Sequence, residues 1–255
     1  MGLLTGKRAL ILGVANDHSI AWGIAQAMHH EGAEVGFTYV GPSIEKRVRP
    51  LAASLGSQLI LPCDVTSDDE VHALADGVGK HWKSVDVVVH AIAFAERDEL
   101  KGRFIETSRL GFRTALEVSA YSLVAVARAL EALMPAGSSI LTLTYFGAEK
   151  VLPNYNVMGV AKAALEASVR YLAADMGERG IRVNAISAGP VRTLSAAGIT
   201  GFKDMMRHHA ERAPLRRSIT ADEVGRTAVF LASDLASAIT GEIIHADAGY
   251  NILGI

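Results

Sequence analysis

Short apolar runs alternate with longer amphipathic stretches from one end of the chain to the other. The runs are rich in Val, Ile and Leu without strict alternation, which is typical of strands covered on both faces of a parallel sheet. They lie at residues 8–13, 33–40, 58–62, 85–93, 138–144, 181–188 and 242–247. Helical periodicity is found at residues 19–31, 43–55, 67–81, 107–133, 155–177 and 221–233. This repeated order predicts the α/β class, with a doubly wound parallel sheet of about seven strands.

No linker, repeat or low-complexity tract divides the chain, so we expect a single domain over residues 1–255. The largest departure from the strand–helix order is the segment 189–220, between the last two predicted strands. Its Gly, Ser and Ala residues, followed by "FKDMM", predict a loop and a short helix. Ligands bind at the carboxyl ends of the strands in open α/β sheets, so we expect a substrate-binding lid near residues 194–212.

Composition narrows the classes of partner. The chain is 50% apolar and 20% charged with a net charge of −2, which gives no electrostatic basis for binding nucleic acid or an anionic membrane. There is no signal-peptide pattern and no apolar run of about 18 residues, so we expect a soluble, cytoplasmic protein. Cys63 is the single cysteine and is expected to be a buried core residue. The histidines have no metal-binding spacing, so no metal site is predicted.

The segment after the first predicted strand is a candidate nucleotide site. It reads GVANDHSIAWGIAQAM, in which Gly13 ends the strand, Ser19 is placed to cap the next helix and Gly23 lies one turn inside it. The free N–H groups and dipole of a helix N-terminus favour a pyrophosphate. The G-x-G-x-x-G pattern is absent, so by spacing alone an ordinary strand–turn–helix corner remains an alternative.

The ends of the next strands support the nucleotide interpretation. Asp64 is placed to accept a hydrogen bond from an adenine amino group, beside the apolar Val65. The small residues Ala91 and Ala93 allow a close approach of the backbone to a ribose or nicotinamide. The second strand ends in "YVGPS", with neither an acidic residue for a ribose 2′-hydroxyl nor an adjacent Arg for a 2′-phosphate. We predict NAD(H) as cofactor, with NADH preferred and NADPH possible; the later cations Lys46, Arg47 and Arg49 are expected on a solvated helix face.

Three residues are candidates for the reacting groups. Tyr145 follows the fifth predicted strand, and Tyr155 and Lys162 open the following helix. Seven residues make about two helical turns, so Tyr155 and Lys162 share a face. A Lys near a Tyr hydroxyl favours hydrogen donation to a developing negative charge. The alternative is that each tyrosine is a half-buried packing residue.

The chain resembles the bacterial enoyl-acyl-carrier-protein reductases of the short-chain dehydrogenase/reductase superfamily over essentially its whole length. The resemblance rests on the corner after Gly13, on "HAIAFA", on the segment 141–173 with its Tyr-x6-Lys pair and upstream Tyr, on "IRVNAISAGPVRTL" and on "TGEIIHADAGY". It implies a Rossmann-like fold and NADH-dependent reduction of the trans-2 double bond of enoyl thioesters on acyl carrier protein. This reaction is the last step of the fatty acid elongation cycle. The resemblance also implies a homotetramer, for which helices 107–133 and 155–177 are expected interfaces.

The resemblance also implies roles for individual residues. Tyr155 would hydrogen-bond the thioester carbonyl oxygen, Lys162 would hold the nicotinamide ribose hydroxyls, and Tyr145 would line the site beside the reacting bond. The implied cofactor-binding residues are Gly13, Ser19, Ile20, Asp64, Val65, Ala91, Lys162, Val191 and Thr193. The implied substrate-binding residues are Ala93, Ala95, Tyr145, Tyr155, Met158, Pro190, Ile199, Phe202 and Met205.

The Tyr-x6-Lys spacing matches this chemistry. A carbonyl reductase needs its Tyr at the oxygen of the carbon that receives hydride, four residues before the Lys, where this chain has Met158. An enoyl reductase adds hydride to the β-carbon and accumulates charge on the more distant thioester oxygen, so its donor stands farther back. The chain departs from the family at Ala93, commonly Gly, and at Val40, where many relatives have Gln.

Two other functions compete with this one. A short-chain carbonyl or alcohol dehydrogenase would need a Tyr at position 158 and a hydroxyl donor such as Thr142 or Thr144. A non-enzymatic nucleotide-binding sensor on the same fold would have no reason to retain Tyr145, Tyr155 and Lys162 together.

Overall fold

The computed structural model describes residues 2–193 and 201–254. The strands are β1 (Arg8–Leu12), β2 (Glu34–Tyr39), β3 (Ile60–Pro62), β4 (Val87–His90), β5 (Ser139–Thr144), β6 (Arg182–Ala188) and β7 (Ile243–Ala246). All seven pair in parallel, in the order β3-β2-β1-β4-β5-β6-β7. The predicted fold class is therefore confirmed. The order reverses between β1 and β4, and ligands bind at such a switch point in sheets of this type.

The principal helices connect the strands. They are α1 (Ile20–His30), α2 (Gly41–Ser54), α3 (Asp68–Trp82), α4 (Arg109–Leu116), α5 (Ser122–Leu130), α6 (Asn156–Gly177), α7 (Phe202–Arg212) and α8 (Ala221–Ala232). The predicted helix over 107–133 is divided, because a π turn at Glu117–Tyr121 separates α4 from α5. Such turns insert one extra residue into a helix and often lie at functional sites. Among the described residues, no helix is long and apolar enough to cross a membrane.

The sheet is covered on both faces, as the unbroken apolar runs predict. Along β1, Ala9 and Ile11 pack with α1 and α8, whereas Leu10 and Leu12 pack with α3, α5 and α6. This alternation follows from the two-residue period of a strand. Both faces of the sheet are thus shielded from water by helices, and the carboxyl ends of its strands are left to form the site.

Gly23 is explained by helix packing. A Cβ at Gly23 would lie 2.7 Å from the Ala221 carbonyl oxygen, and one at Gly225 would lie 2.6 Å from the Gly23 carbonyl oxygen. Helices α1 and α8 therefore approach closely only because both residues are glycines. Gly23, which the sequence places near the nucleotide corner, contacts the neighbouring helix.

Candidate active site

A cavity of about 690 Å³ opens at the carboxyl ends of the strands, at the switch point between β1 and β4. Every predicted site residue within the described part of the chain lines it: Gly13, Ser19, Ile20, Asp64, Val65, Ala91, Ala93, Ala95, Tyr145, Tyr155, Met158, Lys162, Pro190, Val191, Thr193, Phe202 and Met205. Ile199, also predicted, lies outside the described residues. Residues distant in sequence thus meet in one concave site large enough for a cofactor and part of a substrate.

The corner between β1 and α1 requires glycine at its first position. Gly13 has a φ of +97°, and a Cβ there would lie 2.1 Å from the carbonyl oxygen of Ala91. The ends of β1 and β4 therefore touch through the backbone, and no side chain fits between them.

Ser19 occupies the N-cap position of α1, as predicted, but its side chain does not cap the helix. The hydroxyl instead donates to the carbonyl oxygen of Asn16 at 2.7 Å. The prediction was correct for the N-cap position and wrong for the capping hydrogen bond, in which the Ser19 oxygen would accept from an N–H of α1.

The end of the cavity beside β2 and β3 carries a fixed carboxylate. Asp64 Oδ1 accepts from the backbone N–H and the hydroxyl of Thr66, at 2.9 and 2.7 Å. Cys63 is buried as expected and also lines the cavity, and burial raises the pKa of its thiol to about 12. The thiol is therefore protonated and serves as a small apolar wall.

Among the described residues, no Lys or Arg side chain lines the cavity near the end of β2. The lining cations of the described chain are Arg97 and Lys162, and neither follows β2. Arg49 lies 5.9 Å above the Tyr39 ring, but its guanidinium pairs with Glu45 at 2.8 Å. The exposed Val40 is thus the residue at the place where a 2′-phosphate would require a cation.

Tyr145 and Tyr155 meet within the cavity. Tyr155 immediately precedes α6, and its ring packs edge-to-face on that of Tyr145, with centroids 5.3 Å apart and planes at 75°. Gly147 makes this packing possible, because a Cβ there would lie 2.4 Å from the Tyr155 ring. Sequence reasoning missed Gly147, although its position two residues after Tyr145 was a usable signal.

Lys162 lies two turns along α6 and is only 6% exposed. Its ammonium donates to the carbonyl oxygen of Leu143 at 2.7 Å. Burial lowers the pKa of Lys162 to about 8, and the nearby Glu166 acts in the opposite direction. Burial also raises the pKa of Tyr155 and raises that of Tyr145 to about 12, so both phenols are hydrogen-bond donors at neutral pH.

The two threonines that a carbonyl reductase would use have other partners. Thr142 lies beside the fully buried His90, with Oγ1 3.1 Å from Nδ1, and donates to the His90 carbonyl oxygen at 2.9 Å. Thr144 Oγ1 donates to a carboxylate oxygen of Glu166 at 2.6 Å. Burial lowers the pKa of His90 to about 3, so this ring is neutral.

Helix α7 forms the described part of the predicted lid. Phe202 and Met205 line the cavity, and the Tyr145 hydroxyl donates to Sδ of Met205 at 3.1 Å. Over the residues that the structure describes, no cluster of His, Cys, Asp and Glu could hold a metal ion.

The sequence and the fold of this chain are similar to those of known proteins. A family model described as enoyl-(acyl carrier protein) reductase matches residues 13–251. Enoyl-[acyl-carrier-protein] reductase [NADH] FabI of Bacillus cereus is 57% identical, with 100% of both chains covered. The structure of the Bacillus cereus enoyl-acyl carrier protein reductase with NADP+ and indole naphthyridinone superposes with a TM-score of 0.98 at 57% identity, over 100% of both chains.

A second solved structure extends the comparison to another organism and another bound cofactor. The Anaplasma phagocytophilum enoyl-(acyl-carrier-protein) reductase in complex with NAD has a TM-score of 0.96 at 52% identity, over 100% of this chain and 97% of that one. The similarity thus spans the whole fold, from the nucleotide corner to the last strand. The chain belongs to the enoyl-acyl-carrier-protein reductase family.

Proposed function

We propose that this chain uses NADH to reduce the trans-2 double bond of enoyl thioesters carried on acyl carrier protein, the last step of the fatty acid elongation cycle. The observation that carries the proposal is that Tyr155, which immediately precedes α6, and Lys162, two turns along α6, both line the cavity together with Tyr145. Met158 lines the cavity at the place where a carbonyl reductase has its Tyr. Family membership supports the same reaction.

The residues present fit a dinucleotide. Gly13, Ser19 and Ile20 surround the N-terminus of α1, where a pyrophosphate is stabilised by free N–H groups and the helix dipole. Asp64 and Val65 would contact the adenine. Lys162 would hold the nicotinamide ribose hydroxyls, and the remaining cofactor contacts would be Ala91, Val191 and Thr193.

The proposed chemistry follows from charge development on the substrate. When bound, NADH supplies a hydride, which the reaction places on the β-carbon of the enoyl thioester. Negative charge develops on the thioester oxygen as an enolate, and the Tyr155 hydroxyl donates a hydrogen bond to that oxygen. A proton added to the α-carbon then converts the enolate to the saturated thioester. The ammonium of Lys162 favours this donation, and Tyr145 borders the reacting bond.

The acyl chain would lie among apolar side chains from three parts of the fold. Ala93 and Ala95 follow β4, Pro190 follows β6, Met158 lies on α6, and α7 contributes Phe202 and Met205. We include Ile199 in this pocket on the resemblance alone. Methionine is unbranched and adapts to different chain positions, which suits a lipid-chain pocket.

We also propose a homotetramer. Large apolar side chains are exposed on the helices expected at the interfaces, including Leu110 and Phe112 on α4 and Tyr171 on α6. Large exposed apolar side chains are typically covered at subunit interfaces. Light scattering coupled to size-exclusion chromatography would measure the mass, and a monomer at micromolar concentration would contradict the proposal.

The enzymatic proposal is tested with the purified chain. Oxidation of NADH and of NADPH is followed with crotonyl and longer enoyl thioesters, on coenzyme A and on acyl carrier protein, with a simple ketone as control. We expect enoyl turnover that is faster with NADH. Ketone turnover without enoyl turnover would instead identify a carbonyl reductase.

A further inference from the structure

Two oppositely charged side chains are buried one turn apart on α6. Lys162 is 6% exposed and Glu166 is 8% exposed. Residues four apart on a helix lie on the same face, so the two groups are neighbours. The proposed function uses Lys162 but assigns nothing to Glu166.

Both side chains bind the end of β5, Lys162 at a backbone carbonyl and Glu166 at a side-chain hydroxyl. The Lys162 ammonium donates to the Leu143 carbonyl oxygen at 2.7 Å, and Glu166 accepts from the Thr144 hydroxyl at 2.6 Å. Leu143 and Thr144 are the last two residues of β5, directly before Tyr145. The pair on α6 therefore fixes the end of the strand that places Tyr145 in the cavity.

The charge of Glu166 acts on a lysine that burial disfavours as a cation. The pKa of Lys162 is lowered to about 8 by burial even though the Glu166 charge raises it. Without that charge the pKa would fall further, and Lys162 would lose its proton close to neutral pH.

The other titratable groups around the pair do not replace Glu166. On the side of Lys162, Tyr145 and Tyr155 are neutral because their pKa values are raised, and His90 is neutral because its pKa is lowered. Burial raises the pKa of Glu166 and Glu149 acts in the same direction, whereas the hydrogen bond from Thr144 and the neighbouring Arg170 and His245 act in the opposite direction. His245 Nε2 lies 2.9 Å from a carboxylate oxygen of Glu149.

We propose that Glu166 is a positioning residue of this enzyme: its carboxylate keeps Lys162 protonated at the working pH and, through Thr144, holds the end of β5 below Tyr145. The inference rests on the proposed function, in which the Lys162 ammonium holds the hydroxyls of the cofactor ribose and favours hydrogen-bond donation by Tyr155. Glu166 contacts neither substrate nor cofactor in this role and acts through Lys162.

The test is the pH profile of kcat/KM for an enoyl thioester in the Glu166→Gln variant. Glutamine keeps the size and the acceptor oxygen for Thr144 but removes the charge. We expect the alkaline limb of the profile to move to lower pH by roughly one unit, because the Glu166 charge raises the pKa of Lys162. On the acidic plateau, where Lys162 stays protonated, we expect turnover within about threefold of the parent.

Two matched variants separate charge from hydrogen bonding. Thr144→Val removes the hydroxyl and leaves the Glu166 charge, so we expect lower turnover at every pH with the alkaline limb unmoved. Glu149→Gln removes a more exposed carboxylate of the same region and should change neither. Glu166→Gln activity that falls equally at all pH values, with an unmoved limb, would reduce Glu166 to a structural residue and overturn the inference.

A measurement on the parent protein covers the case in which Glu166→Gln does not fold. The dissociation constant of NADH is determined across the range from about pH 7 to about pH 10, in which Lys162 is expected to titrate. We expect affinity to fall as Lys162 loses its proton, and a constant affinity would overturn the inference. Absence of enoyl turnover in the parent would instead contradict the proposed function, so the two failures are distinguishable.

Discussion

The ring of Tyr155 packs edge-to-face on the ring of Tyr145, with the centroids 5.3 Å apart. Aromatic pairs of this geometry contribute about 0.5–1.5 kcal/mol beyond the area they bury. Phenylalanine keeps both the ring and the packing. Substitution by Phe therefore tests each hydroxyl while leaving this contact in place.

We expect Tyr155→Phe to lower kcat for enoyl thioesters by about 10²- to 10³-fold, the effect of removing one donor to a developing oxyanion. The affinity for NADH and the free energy of unfolding should change little, because the ring packing is retained. Steady-state kinetics, fluorescence titration with NADH and urea unfolding measure the three quantities. Unchanged turnover would remove the Tyr155 hydroxyl from the mechanism.

Tyr145→Phe is the matched control. It removes the hydrogen bond to Met205 but leaves the Tyr155 hydroxyl in place. We expect a smaller loss of kcat than in Tyr155→Phe. A larger loss would exchange the roles proposed for the two tyrosines.

Ala93 lines the cavity, where its methyl group takes space that a glycine would leave open. Flat aromatic inhibitors that stack on the nicotinamide would meet the additional methyl group, so Ala93→Gly should bind them more tightly, by roughly tenfold. Inhibition constants measured with NAD+ present check this, with Ala95→Gly as control. Equal inhibition of the parent and Ala93→Gly would show that the methyl group does not restrict the pocket.

Met205 lines the cavity and accepts a hydrogen bond from the Tyr145 hydroxyl, whereas the adjacent Met206 is not among the lining residues. We expect Met205→Ala to raise KM for long enoyl thioesters by roughly three- to tenfold through lost apolar contact, with a smaller effect on the crotonyl thioester. Met206→Ala is the control on the same helix. Equal effects of the two substitutions would indicate a general change in α7.

Val40 lies where a 2′-phosphate would need a cation. It precedes α2 and is 52% exposed, so substitution there should not disturb the core. We expect Val40→Arg to raise the ratio of kcat/KM with NADPH to that with NADH by roughly tenfold, through a charge-assisted hydrogen bond. Val40→Gln provides a neutral side chain of intermediate length and should change the ratio much less.

We predict that His209 makes stability depend on pH. Its ring is 4% exposed and stacks on Tyr250. Burial lowers its pKa, so the folded state favours the neutral ring. The stability that depends on the neutral ring is present above the unfolded-state pKa of about 6.5 and is lost as the pH falls below it.

We therefore expect the His209→Leu variant to lose less stability than the parent on acidification from about pH 7 to about pH 5. Urea unfolding at the two pH values measures the difference. His208→Leu, at the exposed neighbouring position, should keep the parent's pH dependence. An unchanged pH dependence in His209→Leu would show that this ring does not titrate with folding.

The sequence by itself determined the seven strands and most of the helices, which are local features because hydrophobic periodicity sets the element type. The regular helix expected from Tyr155 to Lys162 is not observed, because α6 begins at Asn156, whose φ is +34°, and Tyr155 precedes it. The resemblance to a family added the set of cavity-lining residues. Gly13 was also identified correctly, because a corner between strand and helix has few conformations open to other residues.

Only the tertiary structure decided the partners that these residues meet. The hydrogen bond from Thr144 to Glu166 joins residues that are 22 positions apart in the sequence, and Gly147 leaves space for the ring of Tyr155. The π turn and the burial of the His209 ring likewise arise from packing between separate elements. The hydrophobic periodicity of the sequence predicts on which face of its helix or strand a side chain lies. The atoms that this face contacts come from distant parts of the chain. The distances between these atoms and their burial are set by the packing of the helices on the sheet. The pKa of Lys162 therefore depends on the tertiary structure.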